Sequence, residues 1–150
     1  MFPALETERL ILREITDHDA EGLFAYFSDP EVLRYYGQEP FASVEEARQL
    51  VSFFADQYSQ KRGIRWGIER KGSKGIIGTI GFHAWFPRHR RAEIGYEISR
   101  EHWRKGYVSE ALAEIISYGF NQLELTRIGA IVFTENKASN DLLLKMGFQR

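Results

Sequence analysis

Residues 92–112 read AEIGYEISREHWRKGYVSEAL, and the fold turns on how this stretch is divided. Ala92–Ser99 alternates apolar and polar side chains, the pattern of a strand. From Val108, the positions Ala111, Leu112, Ile115, Ile116, Phe120 and Leu123 recur at helical spacing. Thr126–Phe133, TRIGAIVF, is rich in β-branched residues and predicts the next strand. Strand, helix and strand make a βαβ unit, hence a parallel pair joined by a right-handed crossover. Between the first strand and the helix stand Arg104, Lys105 and Gly106. Loops at the carboxyl ends of strands are where mixed sheets hold ligands against the next helix. The unpaired N–H groups of a first helical turn attract anions. Gly106 lets the backbone approach a ligand or take a positive φ, and two cations add donors if they point inward. A solvated basic turn that merely opens a helix is the alternative.

Upstream, Arg9–Glu14 predicts an opening strand, followed by a helix capped by Asp17 with Leu23, Phe24 and Phe27 on its apolar stripe. Pro30 suits the first turn of another short helix running to about Tyr36. Ser43 and Glu46 have the spacing of a capping box ahead of Ala47, Leu50, Val51, Phe54 and Tyr58. Trp66–Arg70, the turn Lys71–Gly75 and Ile76–Phe82 predict an antiparallel hairpin. Ser139–Met146 predicts a short helix ended by Gly147. The class is α+β, a mixed and largely antiparallel sheet with helices, in one domain over residues 1–150.

Composition narrows the function. A net charge of -1 gives no bulk attraction for nucleic acid or anionic membrane, so any phosphate site must be local. There is no cysteine, which excludes disulfides, thiolate zinc sites and a cysteine nucleophile. The charged opening MFPALETERLILRE is neither a signal peptide nor a membrane span, so a soluble cytoplasmic protein is the expectation. No Walker loop, dinucleotide fingerprint or G-x-S-x-G elbow is present, and His18, His83, His89 and His102 form no H-E-x-x-H pair.

The run 92–112, followed by NKASNDLLLKMGF at 136–148, resembles the GNAT acyl-CoA-dependent N-acetyltransferases. More narrowly it is similar to their RimJ/RimL-like branch, which acetylates protein N-termini, and ETERLILRE and SDPEVLRYYG extend the likeness along the chain. The resemblance implies a sheet whose parallel pair splays around acetyl-CoA, and an amine acceptor, either a protein N-terminus or a small amine. A polyamine or antibiotic acceptor and a non-catalytic acyl-CoA-binding module stay open, as do monomer and homodimer. The family's pyrophosphate motif, Q/R-x-x-G-x-G/A, falls on Trp103, Arg104, Lys105, Gly106, Tyr107 and Val108, with Ser109 following. Gly106 matches strictly, and Val108 replaces the usual small residue. Tyr96, Glu97 and Ile98 would hold the pantetheine arm through their strand, as in β-augmentation. Asn136 matches an asparagine that contacts the same arm.

The implied chemistry is attack of a neutral amine on a thioester, which needs a base, an oxyanion partner and a donor for the leaving thiolate. Glu93, on the strand beside the crevice, is the first candidate base, with Glu97 second. The competing reading of Glu93 is an exposed carboxylate paired with Arg90 or Arg91. Ser139 is the candidate donor to sulfur, since Leu143 stands where many family members carry a tyrosine. Arg88–Arg91 is a solvated loop or a contact for a phosphate or an acidic peptide. Trp66, Phe82, Trp85 and Phe86 are core or an acceptor wall. The closing GFQR is expected to open a further strand, with about a hairpin more in family members.

Overall fold

A computed structural model describes residues 2–35, 38–132 and 134–150. Six strands lie in one sheet in chain order: β1 (Leu5–Glu6), β2 (Leu10–Glu14), β3 (Ile64–Arg70), β4 (Ile76–Phe86), β5 (Arg91–Ile98) and β6 (Arg127–Gly129). Each neighbouring pair is antiparallel except β5 and β6, which are parallel. The helices are α1 (Ala20–Phe27), α2 (Val44–Ser59), α3 (Tyr107–Asn121) and α4 (Lys137–Lys145). The mixed sheet and the βαβ crossover are as the sequence predicts. The parallel pair, expected at the centre, lies at one edge of the described strands. The strand expected over Thr126–Phe133 is paired only at Arg127–Gly129; Phe133 lies outside the described residues. Phe148–Arg150, expected to open a strand, are in none.

Two apolar layers fill the two faces. On one, Leu10, Leu12, Ile64, Trp66, Ile80, Phe82, Ile94 and Ile98 pack against Ala111, Leu112 and Ile115 of α3 and Leu143 of α4. Trp66 and Phe82, weighed above as acceptor wall, belong to this core, whereas Phe86 is exposed. Trp66 is fully buried and its indole N–H donates to the Pro3 carbonyl at 2.8 Å, so the polar tip is not orphaned. On the other face, Ile15 and Ile76 meet Leu23, Tyr26 and Phe27 of α1 and Ala47 and Val51 of α2.

Local chemistry differs from expectation at three helix starts. Asp17 lies inside a short 3-10 turn, Asp17–Asp19, ahead of α1. The capping carboxylate is Asp19, which takes the Thr16 N–H at 2.9 Å and Arg13 at 2.9 and 3.0 Å. Burial alone would raise its pKa, but Arg13 and the Thr16 amide hold it below the usual range. Ser43 precedes α2 without a side-chain cap bond; Glu46 instead reaches back to the Ala42 N–H at 2.6 Å. The helix expected from Pro30 is a run of turns, in which the Val32 and Leu33 N–H groups both reach the Asp29 carbonyl. Tyr36 lies outside the described residues.

Candidate active site

The site begins where β5 and β6 part. Their parallel pairing runs Arg91↔Arg127, Ala92↔Ile128, Glu93↔Gly129 and stops. β5 continues to Ile98 paired with β4 alone, so its other edge is free from Ile94 onward. The Ser99 N–H donates to the Ile77 carbonyl at 2.8 Å, which fixes the phase of the ladder. In an antiparallel ladder the groups alternate sides, so Ile94, Tyr96 and Ile98 direct their N–H and C=O groups to the free edge. One of these is already engaged: the Trp103 indole donates to the Ile98 carbonyl at 2.9 Å.

This edge opens into a cavity of about 450 Å³. Tyr96, Glu97 and Ile98 border it from β5, Arg104, Gly106, Tyr107, Val108 and Ser109 from the α3 start, and Asn136, Ser139 and Leu142 from α4 and its cap. These include most of the residues read from the sequence as cofactor-binding. Gly106 is the N-cap of α3 with φ 78°, the left-handed conformation that glycine adopts without strain. Arg104 takes φ 63° without that freedom, so the loop is a fixed double reversal rather than a loose turn. Val108 is half-buried, packed against the α3-side core while still bordering the cavity. Asn136 caps α4 by accepting the Ser139 N–H at 3.2 Å. The Tyr96 phenol hydrogen-bonds with Ser139; burial raises its pKa and that bond opposes the rise.

Three expected site residues lie elsewhere. Lys105 is exposed and does not border the cavity; Arg9 holds its carbonyl at 2.9 Å. Glu97 borders the cavity only from its strand, because its carboxylate turns to the α1–α2 face. There it meets Arg65 at 2.5 Å and the Thr79 hydroxyl, fully buried, with its pKa raised by that burial. That enclosure leaves it unsuited to be the base. Glu93 also points to the α1–α2 face, at the last paired rung, and is not among the cavity's lining. Its partner is neither Arg90 nor Arg91 but His83, Nε2 to Oε1 at 3.3 Å.

His83 is a residue the sequence reading left unassigned. It sits opposite Glu93 in the β4–β5 ladder. Burial first, then the Arg65 charge, lower its pKa, with Glu93 opposing. Neither partner is close in sequence, so only the strand register could have found the pair. Gly95 completes the arrangement: a Cβ there would stand 2.9 Å from Arg65 Nη1 and 3.2 Å from His83 Nδ1. The missing side chain lets the Arg65 and His83 side chains lie directly over the strand at this point.

The segment Glu31–Tyr35 was equally unforeseen as a wall. Glu31, Val32, Arg34 and Tyr35 close one side of the cavity, and a bidentate pair between Arg100 and Asp29, Nε to Oδ2 at 3.0 Å, ties the segment to the loop after β5. His102 is buried beside it, its Nδ1 2.6 Å from Ser99 Oγ, with burial as the first cause of a lowered pKa. Among the described residues no group of carboxylates, histidines or cysteines could hold a metal ion, and no helix is long and apolar enough to cross a membrane.

This geometry has relatives. The family model described as an acetyltransferase (GNAT) domain matches residues 9–149. The chain is 63% identical over 150 residues to the uncharacterized N-acetyltransferase YoaA of Bacillus subtilis (strain 168), covering 100% of this chain and 85% of that protein. It is 28% identical over 138 residues to the spermidine N(1)-acetyltransferase of Escherichia coli (strain K12), covering 91% of this chain and 71% of that one. A solved structure from Vibrio cholerae, provisionally assigned as a ribosomal-protein-serine acetyltransferase, superposes with a TM-score of 0.86 at 28% identity, over 98% of this chain and 84% of that chain.

Proposed function

The chain belongs to the GNAT family of N-acetyltransferases, and from that premise we propose that it moves acetyl from acetyl-CoA to the α-amine of a protein N-terminus. Two relatives of equal identity carry different acceptors in their names, a polyamine and a ribosomal protein, so the choice rests on charge. Past the vertex, at the far end of the β4–β5 hairpin, a second cavity of about 480 Å³ is lined by Lys61, Arg62, Arg88 and His89, with no aspartate or glutamate. Arg91 precedes Glu93 by two residues, close to 7 Å along the strand. A polycation arriving there meets like charge, whereas a peptide N-terminus loses its single charge on deprotonation. Its reference pKa of about 8 also lies well below the lysine value of about 10.4, which makes that deprotonation the easier one.

The residues fit acetyl-CoA. Backbone amides at the start of α3 would receive the pyrophosphate, with Arg104 beside them. The free edge of β5 would take the pantetheine arm as an added strand. The cosubstrate supplies an activated thioester, placed by this alignment near the vertex at Glu93 and Gly129. There the α3–α4 side is filled by core, so the acceptor would reach the vertex on the α1–α2 face, beside His83. The His83–Glu93 pair takes the amine proton, directly or through one water. His83 is suited to this because its lowered pKa keeps it neutral, and Glu93 orients the ring. As the N–C bond forms and the C–S bond breaks, an N–H of the free edge stabilises the oxyanion. Ser139, backed by the Tyr96 phenol, donates to the departing sulfur.

Thiol release measured with acetyl-CoA and a panel of N-terminal peptides, spermidine and lysine amide tests the acceptor. The expected result is a kcat/KM at least about tenfold higher for a peptide, roughly 1.4 kcal/mol of transition-state preference. Faster turnover of spermidine would overturn the reading.

A further inference from the structure

We infer that Arg9 is a positioning residue and direct ligand for the coenzyme pyrophosphate, although it lies almost a hundred residues before the phosphate loop. The sequence motif places phosphate binding in 103–108, yet that loop carries a single glycine and a valine at its last position. Something outside it must set its shape. Arg9, just ahead of β2, is the residue in contact. Its Nη1 donates to the Lys105 carbonyl at 2.9 Å, its Nε to Glu110 Oε1 at 2.6 Å and its backbone N–H to Glu110 Oε2 at 2.7 Å. Its guanidinium carbon stands 4.5 Å from the centre of the Tyr107 ring. Thr7 adds a hydroxyl to the same Glu110 carboxylate. These contacts clamp the loop on both sides of Gly106.

One nitrogen is left over. Among the described residues Nη2 has no hydrogen-bond acceptor, and it faces Gly106: a Cβ built there would lie 3.3 Å from it. The nitrogen therefore stands beside Gly106, which borders the cavity, while Arg9 itself lies just outside the cavity's lining. Glu110 gives a second reason for Arg9. It is a carboxylate in the first turn of α3, next to where two phosphate charges must sit. Hydrogen bonds from Thr7 and from Arg9 offset the effect of burial and keep it ionised. Unpaired, it would repel the ligand; paired with Arg9, it becomes the anchor that aims a cation at it.

The inference rests on the acetyl-CoA reading above, and its test separates the two. Calorimetric titration of wild-type protein with CoA comes first; no binding there would sink the cofactor reading itself. Arg9→Ala and Arg9→Lys are then titrated with CoA and, by NMR line shape, with pantetheine, which ends before the pyrophosphate. We expect Arg9→Ala to weaken CoA by about 10- to 100-fold, the scale of one or two charge-assisted bonds, with pantetheine unchanged. Arg9→Lys keeps the charge and loses the fork, so it should fall between. Thermal melting identifies any variant that does not fold, in which case the lysine variant decides. Equal loss for both probes would reduce Arg9 to a structural strut, and unchanged CoA affinity would overturn the inference outright.

Discussion

The two faces of β5 carry opposite chemistry. Ala92, Ile94 and Ile98 face α3 and are almost wholly buried in hydrocarbon, with Tyr96 among them at the cavity. Glu93, Gly95 and Glu97 face α1 and α2, amid Arg65, Thr79 and His83. The apolar face holds the strand through many small contacts, none decisive alone. The polar face holds it through a few bonds, and breaking the buried one between Glu97 and Arg65 strands a charged group. One strand thus has a tolerant side and a brittle side. The brittle side is where acetyl transfer is proposed to draw its proton acceptor.

The largest break in that contrast is Glu97→Ala. It strands Arg65 beside a buried cavity, and should cost about 3–5 kcal/mol in chemical denaturation. The double change Arg65→Met with Glu97→Leu sharpens the point, because it should recover most of the loss. A full loss in the double variant would mean that the pair contributes more than mutual neutralisation.

Next in size is His83→Gln, expected to lower kcat/KM by roughly 10²-fold while leaving the melting temperature nearly unchanged. The pH profile gives a second readout. Burial and Arg65 lower the His83 pKa, so its neutral, proton-accepting form persists below the usual value of about 6.5. Activity of the wild type should therefore hold down to that pH and fall only as the ring protonates below it. In His83→Gln that acid limb should disappear; its survival would assign the limb to another group. Smallest is Ile94→Val on the tolerant face, with a loss of about 0.5–1.5 kcal/mol and unchanged turnover.

How much of this was legible in the sequence follows the same division. The helical spacing of α3 and the alternation of β5 are local patterns, and both elements appear close to their expected bounds. The turn at Gly106 was legible because a glycine just ahead of an apolar helical run marks a place where the chain can take a positive φ. The His83–Glu93 pair was not, since it depends on a hairpin register interrupted by a bulge between His83 and Phe86. Arg9 was hidden for a related reason: its partners are about a hundred positions away, and an arginine opening a strand carries no local signal. Lys105, expected to add a donor if it pointed inward, is exposed and outside the cavity's lining, and the orientation of a long flexible side chain carries no sequence signal.

The Trp103 indole on the Ile98 carbonyl has a consequence for molecular length. The exposed edge of β5 is bounded at one end by the vertex at Glu93 and Gly129, and at the other by this indole. From Ile94 to Ile98 the strand advances about 13 Å. A linear arm lying along that edge is therefore gauged between two fixed stops, and only an arm of matching reach delivers its far end to the vertex. If the pantetheine arm lies there as proposed, the tryptophan is the zero mark of a ruler, and replacing it would free the Ile98 carbonyl and remove that stop.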